Sequence, residues 1–239
     1  MSQIIAAGFL LVKPVSRPAW VSSTLMPEYL VSASACICPR FPGSYAISWC
    51  GDPPAERATA FDNIGLEPEK REAATKWATD AFETAYGWPA VFFTLDSARD
   101  ARARFFPNGE LVVLGLGLPA QYHETFVREA TPPPQQPGFA PEGKSGCLIA
   151  VEMNRPLPPG GTVLGYEPMN MMRGQLDHSW LCNHLEQYAA DHLDIRAGSS
   201  GFIESLSEAS RCCDGIEGAG VGAEPGRWLP WLLARYPAL

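Results

Sequence analysis

Apolar and polar residues fall along this chain in short blocks, and the blocks define its expected elements. Ile4–Val12 is one apolar run closed by Lys13-Pro14, the pattern of a buried strand. Tyr29–Cys38 alternates, with Leu30, Ser32 and Ser34 set against Val31, Ala33 and Ala35, and stops at Pro39 as a strand should. Ser44–Cys50 is expected to pair with it across the Pro42-Gly43 turn. A short helix is predicted over Ala55–Phe61 and a longer one over Pro68–Tyr86. In the longer one Ala73, Ala74, Trp77, Ala81 and Phe82 share a face, Pro68 suits the first turn, and Gly87 follows the end.

Ala90–Leu95 then reads as a strand, followed by a helix capped by Asp96 or Ser97 that runs through Phe106. Leu111–Leu118 is another strand, so this strand–helix–strand unit is expected to be a right-handed parallel crossover. Ala120–Ala130 is a helix carrying His123, while Cys147–Met153 and Thr162–Tyr166 read as strands. The helical period returns over Asp177–Leu193. Phe202-Ile203-Glu204 reads as a short strand, Ser205–Cys213 as a short helix, and Trp228–Pro237 as a last strand returned to the core. The sum is an α+β fold: a mixed, mainly antiparallel sheet with helices packed against it, in a single domain. Seven to nine strands and four to six helices are expected, with an exposed proline-rich loop at 131–146.

Composition supports a packed core, since 46% of the residues are hydrophobic and 10% aromatic. The 22 glycines and 23 prolines imply many turns. Seven cysteines, an odd number in a chain too long to need a disulfide scaffold, point to reduced thiols. Met1–Lys13 lacks the features of a signal peptide, and no apolar run is long enough to span a bilayer, so a cytoplasmic, non-membrane protein is expected. The net charge of -8 repels a phosphate backbone, which disfavours nucleic acid and suits a basic protein partner.

Two motif matches fail on context. Gly138–Ser145 fits the phosphate-loop pattern, but a strand instead of a helix is expected after it, and Pro141 removes an amide from the cradle. Gly218–Ala223 fits a relaxed dinucleotide fingerprint without a strand before it or room for the acidic ribose ligand after it; a flexible loop accounts for it. Cys36-Ile37-Cys38 and Cys212-Cys213 lack the spacing of a zinc site and read as core residues. No metal or other cofactor is expected.

The chemistry concentrates in 177–193, which holds three of the four histidines. On a helical projection His178, Leu181, Cys182, Leu185, Tyr188, Ala189, His192 and Leu193 share an inward stripe, while Trp180 and His184 lie off it. One reading takes this as a core helix in a non-enzymatic binding protein that sequesters a basic partner, as toxin-neutralising immunity proteins do. Trp180, Asn183 and His184 would then offer the contact surface, with Trp20, Trp88 and Trp228 as further exposed aromatics. The alternative is a cysteine-dependent hydrolase or transferase, with Cys182 as nucleophile, His178 as base, and His123 or Asp177 assisting. The absence of a catalytic signature favours the first.

Overall fold

The computed structural model describes residues 3–41, 54–87, 91–108, 110–134, 143–172, 175–222 and 226–237. Seven strands form one sheet: β1 (Ile4–Val12), β4 (Tyr86–Gly87), β5 (Val91–Phe92), β6 (Val112–Pro119), β7 (Thr162–Met172), β8 (Gln175–Ser179) and β9 (Arg227–Tyr236). Their order is β4-β5-β1-β6-β9-β7-β8, and every pairing between them is antiparallel. β2 (Val15–Ser16) and β3 (Tyr29–Leu30) form a separate two-stranded ribbon. The fold is therefore α+β with a mainly antiparallel sheet, as the pattern predicts. β5 and β6 flank β1 and run antiparallel to it, so they are parallel to each other, the relation expected of the strand–helix–strand unit.

The sheet is buried on both faces. Helices α1 (Pro54–Ile64), α2 (Arg71–Ala81) and α3 (Leu95–Phe105) cover one face. Phe61, Ile64, Ala74, Ala78, Ala98 and Phe105 meet Phe9, Leu11 and Val113 of the strands there. The other face is covered by α4 (His123–Ala130), α5 (Gly146–Glu152), α6 (Leu185–Leu193) and α7 (Leu206–Ala219). Their apolar sides close over Leu10, Leu114, Leu116, Met169, Trp231 and Leu233. Double coverage explains the unbroken apolar runs of β1, β6 and β9. In β1, Ile5 and Ala7 face the same core as Leu10 and Val12, so the alternation changes phase within the strand. The change coincides with a register shift between Ala6 and Gly8 against β6.

Several elements depart from the sequence reading, each for a local reason. Of Tyr29–Cys38 only Tyr29–Leu30 is a strand. Beyond it the Ile37 and Cys38 N–H groups both donate to the Ser34 carbonyl (3.2 and 3.0 Å), and the Ser34 N–H donates to Ser32 Oγ (2.9 Å). Serines that serve the local backbone in this way compete with strand pairing. The expected strand Ser44–Cys50 and Trp88 lie outside the described residues. Pro68–Tyr86 divides into a 3-10 turn and α2, which ends where Phe82 turns to extended backbone (φ -59°, ψ 141°). Strand Ala90–Leu95 shortens to β5, and Thr94 caps α3 by accepting the Ser97 N–H (3.1 Å).

Cys147–Met153 is a helix, α5, and not a strand. Its buried residues are almost continuous, and a short buried apolar run reads the same in either state. This addition brings the described α-helices to seven, above the expected range. β7 extends to Met172, α7 extends to Ala219, and the Phe202-Ile203-Glu204 strand reduces to one bridge between Ile203 and Tyr166. The dinucleotide-like glycines are no flexible loop at their start: Gly218 is in α7 and Gly220 is its left-handed C-cap (φ 63°).

Among the described residues no helix is long and apolar enough to cross a membrane. Gly8 sets the phase change in β1 with a φ of +112°, and a Cβ there would meet Val91 Cγ1 at 2.1 Å. Gly8→Ala is expected to cost about 2 kcal/mol or more from backbone strain and overpacking. Urea unfolding with an unchanged m-value is the check.

Candidate thiol site

Two loops meet over the α4–α7 side of the sheet, and a buried carboxylate joins them. The first is the turn 32–38 after β3. The second runs from the end of β8 through Leu181 into a 3-10 turn, Cys182–His184. Glu167 of β7 lies fully buried between them. Its Oε1 accepts Ser32 Oγ–H and Ser179 Oγ–H, both at 2.6 Å, and its Oε2 accepts the Ala33 N–H at 3.0 Å. The two serines pass the constraint on to their neighbours: Ser32 Oγ accepts the Ser34 N–H, and Ser179 Oγ accepts the Leu181 N–H at 3.2 Å. The Trp180 N–H also donates to the Pro168 carbonyl (2.9 Å), which holds the second loop to β7. Burial raises the Glu167 carboxyl above its ordinary range; the three donated hydrogen bonds and the charge of Arg40 pull the other way.

These contacts bring Cys36, His178 and Cys182 together. The Sγ of each cysteine and a ring nitrogen of His178 lie within 4.8 Å of one another. Cys36 Sγ is 3.7 Å from His178 Nδ1. Cys36 is exposed, whereas Cys182 is buried. The Cys36 thiol is lowered to about 6 from an ordinary 9.0, chiefly by the hydrogen bond donated by Cys182. Partial burial opposes this, and His178, a hydrogen bond from Ser34 and the charge of Arg40 reinforce it. Cys182 moves strongly upward, because its proton serves Cys36 and because it is buried. One negative charge is shared by two sulfurs, and it settles on the sulfur that water and cations reach.

The other described cysteines have no such setting. Cys38, Cys147 and Cys212 are each pushed up to about 12 by burial, and burial also raises Cys213 well above its ordinary value. Cys38 donates to the Leu30 carbonyl at 3.6 Å. Cys50 lies outside the described residues. Two sulfurs and one imidazole nitrogen make a soft donor set of three. Among the described residues no fourth His, Cys, Asp or Glu atom joins them, short of the four-coordinate closure of a structural zinc site.

The projected helix 177–193 is therefore corrected. His178 lies in a strand, one residue before its end, Cys182 opens a turn, and α6 begins only at Leu185. Asn183 (φ 61°) and His184 (φ 59°) are both left-handed, which breaks the helical period. Two consecutive non-glycine residues in that region carry backbone strain of about 1 kcal/mol or more each. His178 and Cys182 still meet, through the turn and not as helical neighbours, and the third member, Cys36, had been read as a core residue. Its signal was the Ser-x-Ser-x-Cys run, whose hydroxyls bond to the local backbone. Asn183 and His184 are exposed, but Trp180 is fully buried and offers no contact surface; its Nε1 has no hydrogen-bond partner among the described residues. Trp228 is also buried, while Trp20 is 42% exposed. His123 begins α4 outside the trio, the Asp177 side chain lies outside the described residues, and His192 stacks on Tyr188 at 4.6 Å.

Neither motif match gains a site. α5 does follow Gly143-Lys144-Ser145, so the missing helix is no longer a reason to reject a phosphate loop. The segment before it is α4 and Thr131–Pro134, not a strand, and residues 135–142 lie outside the described ones. Lys144 Nζ pairs with Glu152 (2.7 Å), and Ser145 Oγ caps Leu148 (3.1 Å). A cleft of about 250 Å³ bordered by Lys13, Glu67, Lys70, Phe105, Phe106 and Glu110 shares no residue with the trio. Its lysines are neutralised, Lys13 by Glu110 at 3.4 Å and Lys70 by Glu67 at 2.6 Å.

Glu167→Gln is expected to destabilise the fold by about 1–3 kcal/mol, since an amide cannot accept all three donors. The pH dependence has a definite sign. A carboxyl raised in the folded state stabilises below its unfolded pKa, and that contribution is lost as pH rises through the folded value. The deficit of Glu167→Gln against wild type should thus shrink in urea titrations as pH is raised above the ordinary Glu value of about 4.3. A deficit that grows over this range would contradict the burial effect.

No family model, curated protein or solved structure matches this chain.

Proposed function

We propose that this protein acts through covalent thiol chemistry, with the Cys36 thiolate as nucleophile. The observation that carries this reading is the placement of an exposed cysteine 3.7 Å from an imidazole and against a second, buried thiol. A thiolate, not a thiol, attacks electrophiles, and neighbouring hydrogen-bond donors and cations raise its population at neutral pH. His178 supplies one such neighbour, and Arg40 and Ser34 supply others. Roles therefore shift relative to the sequence expectation: Cys182 is a hydrogen-bond donor at the site, and Cys36 carries the reactive sulfur. The sequestering reading, which the sequence alone favours, rests partly on exposed tryptophans, and two of the four it uses, Trp180 and Trp228, are buried.

Iodoacetamide should alkylate Cys36 ahead of the other described cysteines, as read by peptide mass spectrometry. Its rate should climb as pH is raised through about 6 and level off near neutrality. Cys36→Ser should remove the fast phase, and His178→Ala should move the midpoint upward while preserving the labelling site. A rate that follows an unfolded control across the whole range would rule the reading out.

A further inference from the structure

We infer that Cys36 and Cys182 form a dithiol pair that exchanges with a disulfide substrate, cycling between two thiols and one intramolecular disulfide. The inference rests on Cys36 being the nucleophile and adds the reaction class. A hydrolase or acyl transferase needs one sulfur and an oxyanion site. Here a second sulfur stands within 4.8 Å of the first, on the buried side, where it can reach the back of an adduct on Cys36. Disulfide formation needs that gap closed to about 2.05 Å. Both sulfurs sit in turns instead of the middle of a strand or helix, so closure asks for movement of loops and not of the sheet. Asn183 and His184, already left-handed beside Cys182, mark the second turn as the strained partner in that movement.

The step balances as follows. With the Cys36 proton held on His178 and Cys182 still a thiol, the Cys36 thiolate attacks one sulfur of a substrate R–S–S–R′. A Cys36–S–S–R bond forms, the substrate S–S bond breaks, and R′–S⁻ leaves as R′–SH with the proton from His178. The neutral imidazole then takes the proton of Cys182, whose thiolate attacks the Cys36 sulfur. A Cys36–Cys182 disulfide forms, and R–S⁻ leaves as R–SH with that proton. Two electrons pass from the dithiol to the substrate, which is reduced to two thiols. Two equivalents of a small thiol return the protein to its starting state by exchange, supplying two electrons and leaving joined to each other as a disulfide. An attacking thiol that titrates near the ambient pH combines a high thiolate fraction with good nucleophilicity, which suits Cys36 to the first step. Cys38, Cys147, Cys212 and Cys213 remain protonated bystanders.

The test uses the intact chain and 5,5′-dithiobis(2-nitrobenzoate), an aromatic disulfide whose released thiolate is coloured. At substoichiometric reagent, wild type should release both thionitrobenzoate groups of each reagent molecule. Peptide mapping should then find Cys36 joined to Cys182 and no adduct left on the protein. Cys182→Ser should release half as much colour and retain the other half on Cys36. If that variant misfolds, the cross-linked peptide from wild type alone decides the matter. A stable Cys36 adduct in wild type, with no Cys36–Cys182 peptide, would overturn the dithiol inference and leave the nucleophile in place. No adduct and no cross-link at Cys36 would overturn both.

Discussion

The site depends on one interaction, the acceptance of two hydroxyls and one backbone N–H by the buried Glu167 carboxyl. Ser32 and Ser179 are 147 residues apart in the chain, and both donate to the same oxygen. The named strand pairing ends at Leu30 in the first loop and at Ser179 in the second, and the carboxyl ties the two chains together just there, between the Trp180–Pro168 bond to β7 and the return of Arg40 to β1. A buried, multiply bonded carboxyl is costly to place and costlier to leave unpaired. That asymmetry favours the conformation in which both loops are docked. Once docked, Cys36 is held against His178 and Cys182.

The electrostatics follow from which sulfur faces water. The two sulfurs adjoin each other and His178, yet Cys36 is exposed and helped by Arg40 and Ser34, whereas Cys182 is buried on the side of Glu167, so the charge resides on Cys36 and the proton on Cys182. Arg40 acts on Cys36 and on Glu167 alike, lowering both. One cation thus acts on the carboxyl that joins the loops and on the thiol that the proposed chemistry would use.

Much of the architecture was legible in the residues. The apolar runs of β1, β6 and β9 follow directly from periodicity, and the helices expected over 55–61 and 68–86 are found at 54–64 and 71–81. What escaped was set by tertiary contacts. The segment 177–193 has a genuine helical stripe from Leu185 onward, and the stripe extrapolates backward into the end of β8, where Ser179 pairs with Met169 of β7. The helical projection put His178 and Cys182 on a common face, but the true geometry depends on two left-handed residues that no periodicity marks. Cys36 was misplaced because alternation over 29–38 resembles a strand, whereas its serines close a turn. The trio joins residues 142 and 146 positions apart, a relation that one sequence without relatives does not encode in any local pattern.

If docking of the two loops produces a stable thiolate at Cys36, ultraviolet absorbance of the thiolate reads it out. Titration of the native protein should show one sulfur ionising at about 6, absent in Cys36→Ser and shifted upward in Cys182→Ala. A native protein in which no thiol ionises until pH approaches the ordinary 9.0 would contradict the account.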